Sequence, residues 1–400
     1  MSGRRTNPVL LAVAGMVLLA AAVRASAGPA SPASEPGLSE TEIRDQDIAF
    51  FEIRVARDQS GALDRSMLGS LFLQRARETG SVEDLRRAED IARASFALRS
   101  RKNGIALHVL ATSLVGQHRY QEALEEVRLL VVDDSANLAY RALQGEIEME
   151  LGLYPAAESS FARLRSWKHK LTVAPRLARW EELKGNVSHA RLMLERARRE
   201  ALRQANLPRE QKAWFHFRVG DLAFRYGRDG DAEQAWKAGL KLSPRDHRLL
   251  SGMSRLAMSR REWAEAIRYG EAAMAESLDP ATLGLLADAY SATGDPAKAA
   301  EYVRTMELVV MAQPGAFHRA WSLYLLDHDR QVAAVLKNVA AEMESRQDVY
   351  GYDLLAWALH KNGRPCEARQ ALRRAFVLGT RDPLLLAHAR VIEKVPCPSS

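Results

Sequence analysis

The stretch with the most reactive side chains is residues 351–376, GYDLLAWALHKNGRPCEARQALRRAF. It contains His360, Cys366, Trp357 and several arginines, residue types that serve acid–base, nucleophilic or metal-binding chemistry elsewhere. None of them stands at a spacing that such chemistry needs. His360 lies near the C-terminal end of a predicted helix, where a cation is favourable without any catalytic role. We therefore interpret the stretch as a packing unit rather than an active site.

The rest of the sequence carries no recognisable signature of an enzyme. It has no Gly-x-Ser-x-Gly, no His-Glu-x-x-His, no phosphate-binding glycine loop and no Cys-x-x-Cys. The ten histidines are scattered, and no pair has metal-ligand spacing on one predicted helix face. We expect a protein that is not an enzyme, with no catalytic residue, no metal and no cofactor. The alternative is an enzyme with an unrecognised site near Leu207 or His328.

The N-terminus has the three-part pattern of a secretory signal peptide. Arg4 and Arg5 precede an apolar stretch at residues 9–23, and Ala-Ser-Ala at 25–27 forms a small-residue cleavage site before Gly28. Fifteen apolar residues are short for a bilayer span, which needs about 20. We expect residues 1–27 to be removed on export to the periplasm or cell envelope, or to the outside of the cell. The alternative is an uncleaved anchor that tethers the chain to the membrane.

The net charge argues against nucleic acid as a partner. The whole chain carries a formal charge of +7, with 57 basic and 50 acidic residues. Residues 1–27 contain three of the arginines and no acid, so the remaining chain has 54 bases against 50 acids. Such a small excess, spread over a large surface, does not indicate nucleic-acid or stable membrane binding.

Helical periodicity is nearly continuous beyond residue 40 and is interrupted by turns such as ELKGN, SATGDP and HKNGRP. Each turn separates two amphipathic runs, the pattern of a helix–turn–helix pair. An alanine opens the second run of each pair, at spacings of 35, 34, 33, 42, 34, 33, 34 and 35 residues: Ala88, Ala123, Ala157, Ala190, Ala232, Ala266, Ala299, Ala333 and Ala368. A period near 34 over nine units predicts a repeat array.

This period and its residues resemble the tetratricopeptide repeat (TPR). In the last unit, the family's positions 4, 7, 8, 11, 20, 24 and 27 fall on Tyr352, Leu355, Ala356, Leu359, Ala368, Leu372 and Ala375, with Thr380 where the family has proline. Small residues at positions 8, 20 and 27 let paired helices approach closely, and large residues fill the gaps between them.

The resemblance implies an all-α, right-handed α-solenoid of about nine helix–turn–helix repeats with half-repeat caps. It covers residues 41–394, between a flexible Pro/Ala/Ser leader at 28–40 and a tail at 395–400. The first unit has a longer first helix, and the 42-residue spacing indicates a longer helix and loop. The unit around Ala333 is the poorest match, because it lacks the glycine turn.

In the family, five positions of each first helix line the concave groove. Transferred to this sequence, they predict a partner-binding face of aromatic and charged residues, which suit anchoring and orientation of a peptide. The predicted residues are Trp214, Phe217, Asp221, Phe224, Arg225, Arg248, Arg255, Tyr350, Asp353, Trp357 and Lys361. No asparagine stands among them, so we do not expect the paired Lys and Asn clamp of chaperone-binding relatives. The alternative is that the aromatic residues only pack between repeats.

The architecture also suggests a disulfide. Consecutive helices of the family run antiparallel, so the final helix should end near the start of the helix that carries Cys366, and Cys397 follows that final helix. An exported protein permits the bond. If it forms without strain, a bridge over a loop of roughly 30 residues contributes about 3 kcal/mol. The alternative is two free thiols.

The expected function is therefore a non-catalytic scaffold or adaptor. A rigid array of repeats would present a curved groove to a protein or peptide ligand. Apolar groove residues would also allow self-association.

Overall fold

The computed structural model describes residues 38–313 and 318–397. The predicted signal peptide, most of the predicted leader and residues 398–400 lie outside these residues. The described chain is helical throughout, with no strand, which confirms the all-α prediction. Its helices are α1 (Glu40–Arg57), α2 (Ala62–Thr79), α3 (Val82–Leu98), α4 (Gly104–Gly116), α5 (Tyr120–Asp133), α6 (Leu138–Glu150), α7 (Tyr154–Ala162), α8 (Ala174–Leu183), α9 (Val187–Arg203), α10 (Arg209–Arg225), α11 (Asp229–Leu242), α12 (His247–Ser259), α13 (Trp263–Met274), α14 (Pro280–Ala292), α15 (Pro296–Met311), α16 (Arg319–Asp327), α17 (Val332–Glu342), α18 (Val349–Lys361), α19 (Pro365–Ala375) and α20 (Pro383–Ile392).

Helix starts are specified locally. Side chains at the N-caps of several first helices accept hydrogen bonds from backbone N–H groups of the first turn, which would otherwise lack a partner. These N-cap residues are Asn137, Asp246, Asp279, Asp348 and Asp382. Proline, which needs no such partner, occupies the first turn of α14, α15, α19 and α20. The polar residues between the apolar runs therefore set where the helices begin.

Helices α2–α19 form nine antiparallel pairs, with α1 and α20 as single helices at the two ends. This is the α-solenoid with half-repeat caps that the sequence predicts. The alanine that defines the period is fully buried in seven of the second helices, where it allows the helix to approach its neighbours closely. These residues are Ala88, Ala123, Ala157, Ala190, Ala232, Ala266 and Ala368.

Two glycines show how closely the helices pack between the fifth and sixth pairs. Trp236 of α11 is completely buried between Gly220 of α10 and Gly252 of α12. A Cβ atom at Gly252 would lie 2.7 Å from the indole ring, closer than real Cβ atoms approach. The large side chain thus fills the space that the two small residues leave open.

The eighth pair, α16–α17, departs from the predicted alignment. Ala333 is exposed, so the prediction that it opens the buried face of α17 was wrong. Val335 occupies that place and is 3 % exposed. The reason lies in the turn: α17 begins three residues after the left-handed Asp329, whereas α19 begins two residues after the left-handed Gly363. The buried residue follows the left-handed residue by five positions in α19 (Gly363 to Ala368) and by six in α17 (Asp329 to Val335), whereas Ala333 follows by only four and faces solvent.

The helices that the sequence predicts to be longer than usual are long in the structure. Helix α2 has 18 residues, and α9 and α10, which flank the 42-residue spacing, have 17 each. No helix of the described chain is both long and apolar enough to cross a bilayer. The apolar stretch at 9–23 lies outside the described residues.

The array winds back on itself, so that its second half lies against its first half. The backbone N–H of Gln347 donates to the carbonyl oxygen of Leu151 at 3.3 Å. The N–H of Val349 donates to the Tyr154 hydroxyl at 2.6 Å, across 195 residues of sequence. Contacts this long in sequence mean that the solenoid completes one superhelical turn and begins a second that lies against the first.

We call the contact surface between the two superhelical turns the seam. On one side it consists of the turns α2–α3, α6–α7 and α8–α9, and on the other of the loops α13–α14, α17–α18 and α19–α20. Gly185 lies against the carbonyl group of Gly379, and Gly80 against the Ser277 side chain. First helices of the two superhelical turns also meet at the seam, as Arg179 of α8 and Tyr350 of α18 do.

Candidate interaction site

The aromatic residues predicted to line the groove on α10 pack against their own repeat and against the neighbouring repeats. The Phe224 ring lies 5.6 Å from that of Trp236, and the Trp214 ring 5.0 Å from that of Phe215. Phe217 packs against the same apolar cluster as Phe224. Trp214, Phe217 and Phe224 are each half-buried. Packing fixes the rings in place and leaves part of their surface accessible.

The charged residues beside them form a continuous ladder across α8, α10 and α12. Glu182 of α8 accepts from Arg179 at 3.2 Å and from Arg225 of α10 at 3.0 Å. Asp221 accepts from Arg225 at 3.2 Å and from Arg255 of α12 at 2.9 Å. Each carboxylate bridges two guanidinium groups, so the ladder holds three first helices at fixed positions.

Both carboxylates of the ladder are held in the ionised form. Burial alone would raise the pKa of Asp221, but Arg225 and Arg255 outweigh burial and hold the pKa well below its ordinary value. Burial acts on Glu182 in the same way, and Arg179 and Arg225 lower its pKa. The ladder therefore carries full charges on both sides at neutral pH.

The seam brings Tyr350 of α18 onto this ladder. The Arg179 guanidinium lies 4.9 Å from the Tyr350 ring centroid. The Tyr350 hydroxyl donates to Asp382 at 3.4 Å, and an Arg225 nitrogen lies 3.7 Å from the same carboxylate. Residues from distant repeats thus meet at one place, although the linear repeat pattern does not relate them.

Arg218 lies on the same face of α10 and was missed by the sequence prediction. It follows Trp214 by four residues and precedes Asp221 by three, so the spacing could have found it. Its guanidinium carbon lies 6.0 Å from the Trp214 ring centroid. Its Nε atom is buried and has no hydrogen-bond partner in the described chain.

The structure places Asp353 in a separate buried group near the C-terminal cap. One oxygen of its carboxylate accepts from Arg319 at 2.7 Å, and the other accepts from Nδ1 of His388 at 2.8 Å. The His388 ring stacks on Trp357 with ring centroids 4.4 Å apart. Sequence analysis missed Arg319 and His388, because their contacts cross from one repeat to another.

The remaining predicted residues also have partners within the chain. Trp357 donates from Nε1 to Asp327 at 2.8 Å, and Lys361 to Asp329 at 2.7 Å. Arg248 donates to Glu210 at 2.6 Å and to Asp246 at 2.6 Å. Cys366 and Cys397 form a disulfide with Cα atoms 5.3 Å apart, which ties the C-terminal tail to α19.

Enclosed space near the ladder is small. A cavity of about 10 Å³ lies at the seam between Tyr154, Arg179 and Tyr350, enough for about one water molecule. Within residues 38–313 and 318–397, no group of three or more His, Cys, Asp or Glu side chains could hold a metal ion. The site thus offers fixed charges and partly accessible rings, which suit recognition of another molecule.

The chain matches no family model and no curated protein. It is similar in structure to Cut9 in the APC/C Cut9–Hcn1 hetero-tetramer, with 14% identity, coverage of 88% of this chain and 69% of that chain, and a TM-score of 0.50. A human IFIT1 dimer with PPP-AAAA has 13% identity, coverage of 80% and 73%, and a TM-score of 0.51. Pseudomonas aeruginosa PilF has 15% identity, coverage of 71% and 99%, and a TM-score of 0.32.

The Cut9 and IFIT1 structures contain TPR repeats. The chain has the TPR fold. At such low identity the likeness concerns the arrangement of the helices alone, and function has to be argued from the residues of this chain.

Proposed function

We propose that this protein is a non-catalytic interaction scaffold that is exported to the cell envelope and holds a peptide segment of a partner protein against its concave face. The observation that supports it is the juxtaposition of half-buried Trp214, Phe217 and Phe224 with the charged ladder on neighbouring first helices. Partly accessible rings supply anchoring area, and fixed charges orient a polar backbone or side chain. The TPR fold of the chain agrees with a scaffold role.

The ladder makes the concave face rigid before any partner binds. Because Asp221 and Arg225 are already ordered by their mutual contacts, binding does not have to freeze these side chains again. The winding of the array restricts access: a segment must enter along the superhelix axis, or the seam must open. Both routes favour an extended segment over a folded domain.

A crosslinking pull-down from the native envelope fraction tests the proposal. Wild type is compared with the double variant Trp214→Ala/Phe217→Ala and with a matched control, Trp167→Ala/Phe50→Ala. The control loses the same residue types from positions that are 42% and 54% exposed, away from the ladder. We expect a partner that wild type and the control recover and the double variant loses, while all three proteins keep the same helicity at the temperature of the experiment. Equal recovery by all three would show that the concave rings only pack.

Export is tested separately from binding. We expect the N-terminus of the protein from its native host to begin at Gly28, as measured by intact mass and N-terminal sequencing. A chain that retains residues 9–23 would instead be a membrane-tethered scaffold, and the proposed concave site would be unaffected.

A further inference from the structure

Arg218 lacks the partners that the neighbouring arginines have. In the described chain it makes no hydrogen bond or ion pair, and its buried Nε has no acceptor. The guanidinium carbon of Arg218 lies 6.0 Å from the Trp214 ring centroid. This cation–π contact is electrostatic and does not occupy the N–H donors. A buried N–H group without an acceptor is costly, so such a group is normally paired. The rest of its side chain keeps accessible surface, so a ligand can reach it.

Arg218 lies among other arginines and is the one that forms no ion pair in the described chain. Four arginines converge here from three first helices, and we call them the interior arginine cluster: Arg179, Arg218, Arg225 and Arg255. The carboxylates that act on the cluster are Glu150, Glu182, Asp221 and Asp382.

The neighbouring charges act on Arg218 itself. Burial lowers the pKa of its guanidinium group, and Arg179 and Arg225 lower it further, while Asp221 and Glu182 raise it. The carboxylates nearest to it already serve Arg179, Arg225 and Arg255 through hydrogen bonds. Their oxygens are therefore engaged elsewhere.

We propose that the interior arginine cluster is a binding site for one compact oxyanion, of the carboxylate or phosphate class, and that Arg218 is the residue that holds it. A guanidinium group presents parallel N–H donors that match the oxygens of either class. The site shares Asp221, Arg225 and Arg255 with the ladder described above, but its test uses simple anions and requires no peptide partner.

Thermal melting and calorimetry with simple anions test the site. Sodium phosphate and sodium acetate are each compared with sodium chloride at equal ionic strength and pH. We expect either anion to raise the melting temperature of wild type, with one bound anion per chain in the titration. Phosphate that binds while acetate does not would assign the phosphate class, and the reverse result would assign the carboxylate class.

Two variants separate the site from general salt effects. Arg218→Gln removes the proposed ligand-binding group, whereas Arg196→Gln makes the same charge change on the exposed side of α9. We expect the dissociation constant to rise about tenfold or more in Arg218→Gln and to stay unchanged in Arg196→Gln, because a charge-assisted hydrogen bond is lost only in the first. Phosphate also stabilises proteins non-specifically, and that part of the shift should be equal in both variants.

The proposal fails if wild type binds neither anion or if Arg218→Gln binds as tightly as wild type. Should Arg218→Gln not fold, Arg218→Lys keeps the charge without the guanidinium fork. It should fold and bind more weakly than wild type, and equal binding would overturn the role given to the fork.

Discussion

Gln347 joins the two superhelical turns through its main chain, since its N–H donates to the carbonyl of Leu151 at 3.3 Å. Beside this bond, Gly152 adopts a left-handed conformation with φ of 78° and lies directly against the backbone of Gln347. A backbone contact of this kind leaves no room for a side chain at Gly152. The two superhelical turns can therefore approach this closely at the α6–α7 turn only because residue 152 is a glycine.

Gly152→Ala should destabilise the protein more than Gly363→Ala. Both glycines are left-handed, with φ of 78° and 70°, so both substitutions carry a strain of about 1 kcal/mol. Only at Gly152 would the new Cβ also collide with Gln347, whereas nothing lies within 4 Å at Gly363. We expect at least twice the loss for Gly152→Ala in urea denaturation, together with faster hydrogen exchange at the Gln347 amide. Equal losses would mean that the seam is open in solution.

Asp221→Asn should reduce stability by about 2 to 4 kcal/mol, because it leaves Arg255 without a carboxylate and removes one of the carboxylates that pair with Arg225. Glu265→Gln is the control, since Glu265 pairs with Arg268 on the exposed surface of α13. That substitution should have no measurable effect. Urea denaturation of the two variants gives the comparison, and a similar small change in both would contradict the structural importance of the ladder.

Glu342 should make the protein less stable as the pH rises. Burial raises its pKa from 4.5 to about 7, against the opposing effect of Arg346, and its Oε2 atom has no hydrogen-bond partner. The folded state therefore holds the proton more tightly than the unfolded state. This contribution is complete below about pH 4.5 and is lost as the pH rises to about 7, by on the order of 1 kcal/mol after solvent screening.

Glu342→Gln should remove this part of the pH dependence, and Glu344→Gln, a change at an exposed position two residues later, should retain it. The measurement is the free energy of unfolding of each variant across this pH range. A wild-type curve that does not differ from that of Glu342→Gln would show that Glu342 is hydrated in solution.

The Cys366–Cys397 bridge should be present in the protein purified without reductant. We expect no free thiol in the denatured, unreduced chain, and two after reduction. Cys397→Ser should lose about 3 kcal/mol of stability relative to the oxidised wild type, because the bridge closes a segment of 31 residues. Against the reduced wild type the same variant should show no loss. Two thiols in the unreduced protein would contradict the bridge.

The sequence predicts the solenoid because its information is local. A buried alanine recurs with the repeat, and Asn, Asp and Pro mark the helix starts, so the helices and their pairing follow from neighbouring residues. The error at Ala333 arose because this turn contains no glycine, so the sequence does not mark where the turn ends. Two left-handed residues, Asp329 and Gln331, replace the single left-handed residue of the turns within the other pairs. A single extra residue there rotates the face of α17.

The seam and the interior arginine cluster could not be predicted in the same way. Gly152 and Gly363 occupy equivalent turns and look alike in sequence, yet only Gly152 has a neighbour from the other superhelical turn. Where the second turn lies depends on small rotations accumulated over several repeats. Contacts such as that between Tyr350 and Arg179 depend on these accumulated rotations, and the sequence of a single repeat does not reveal them.

The winding also constrains how this chain can evolve. An open solenoid can gain or lose a repeat in its middle, since each unit contacts only its neighbours. Here the contact between Val349 and Tyr154 spans 195 residues. A repeat inserted between them would displace one partner along the superhelix and break the contact. Growth or loss of whole units should therefore be confined to the two ends of the array.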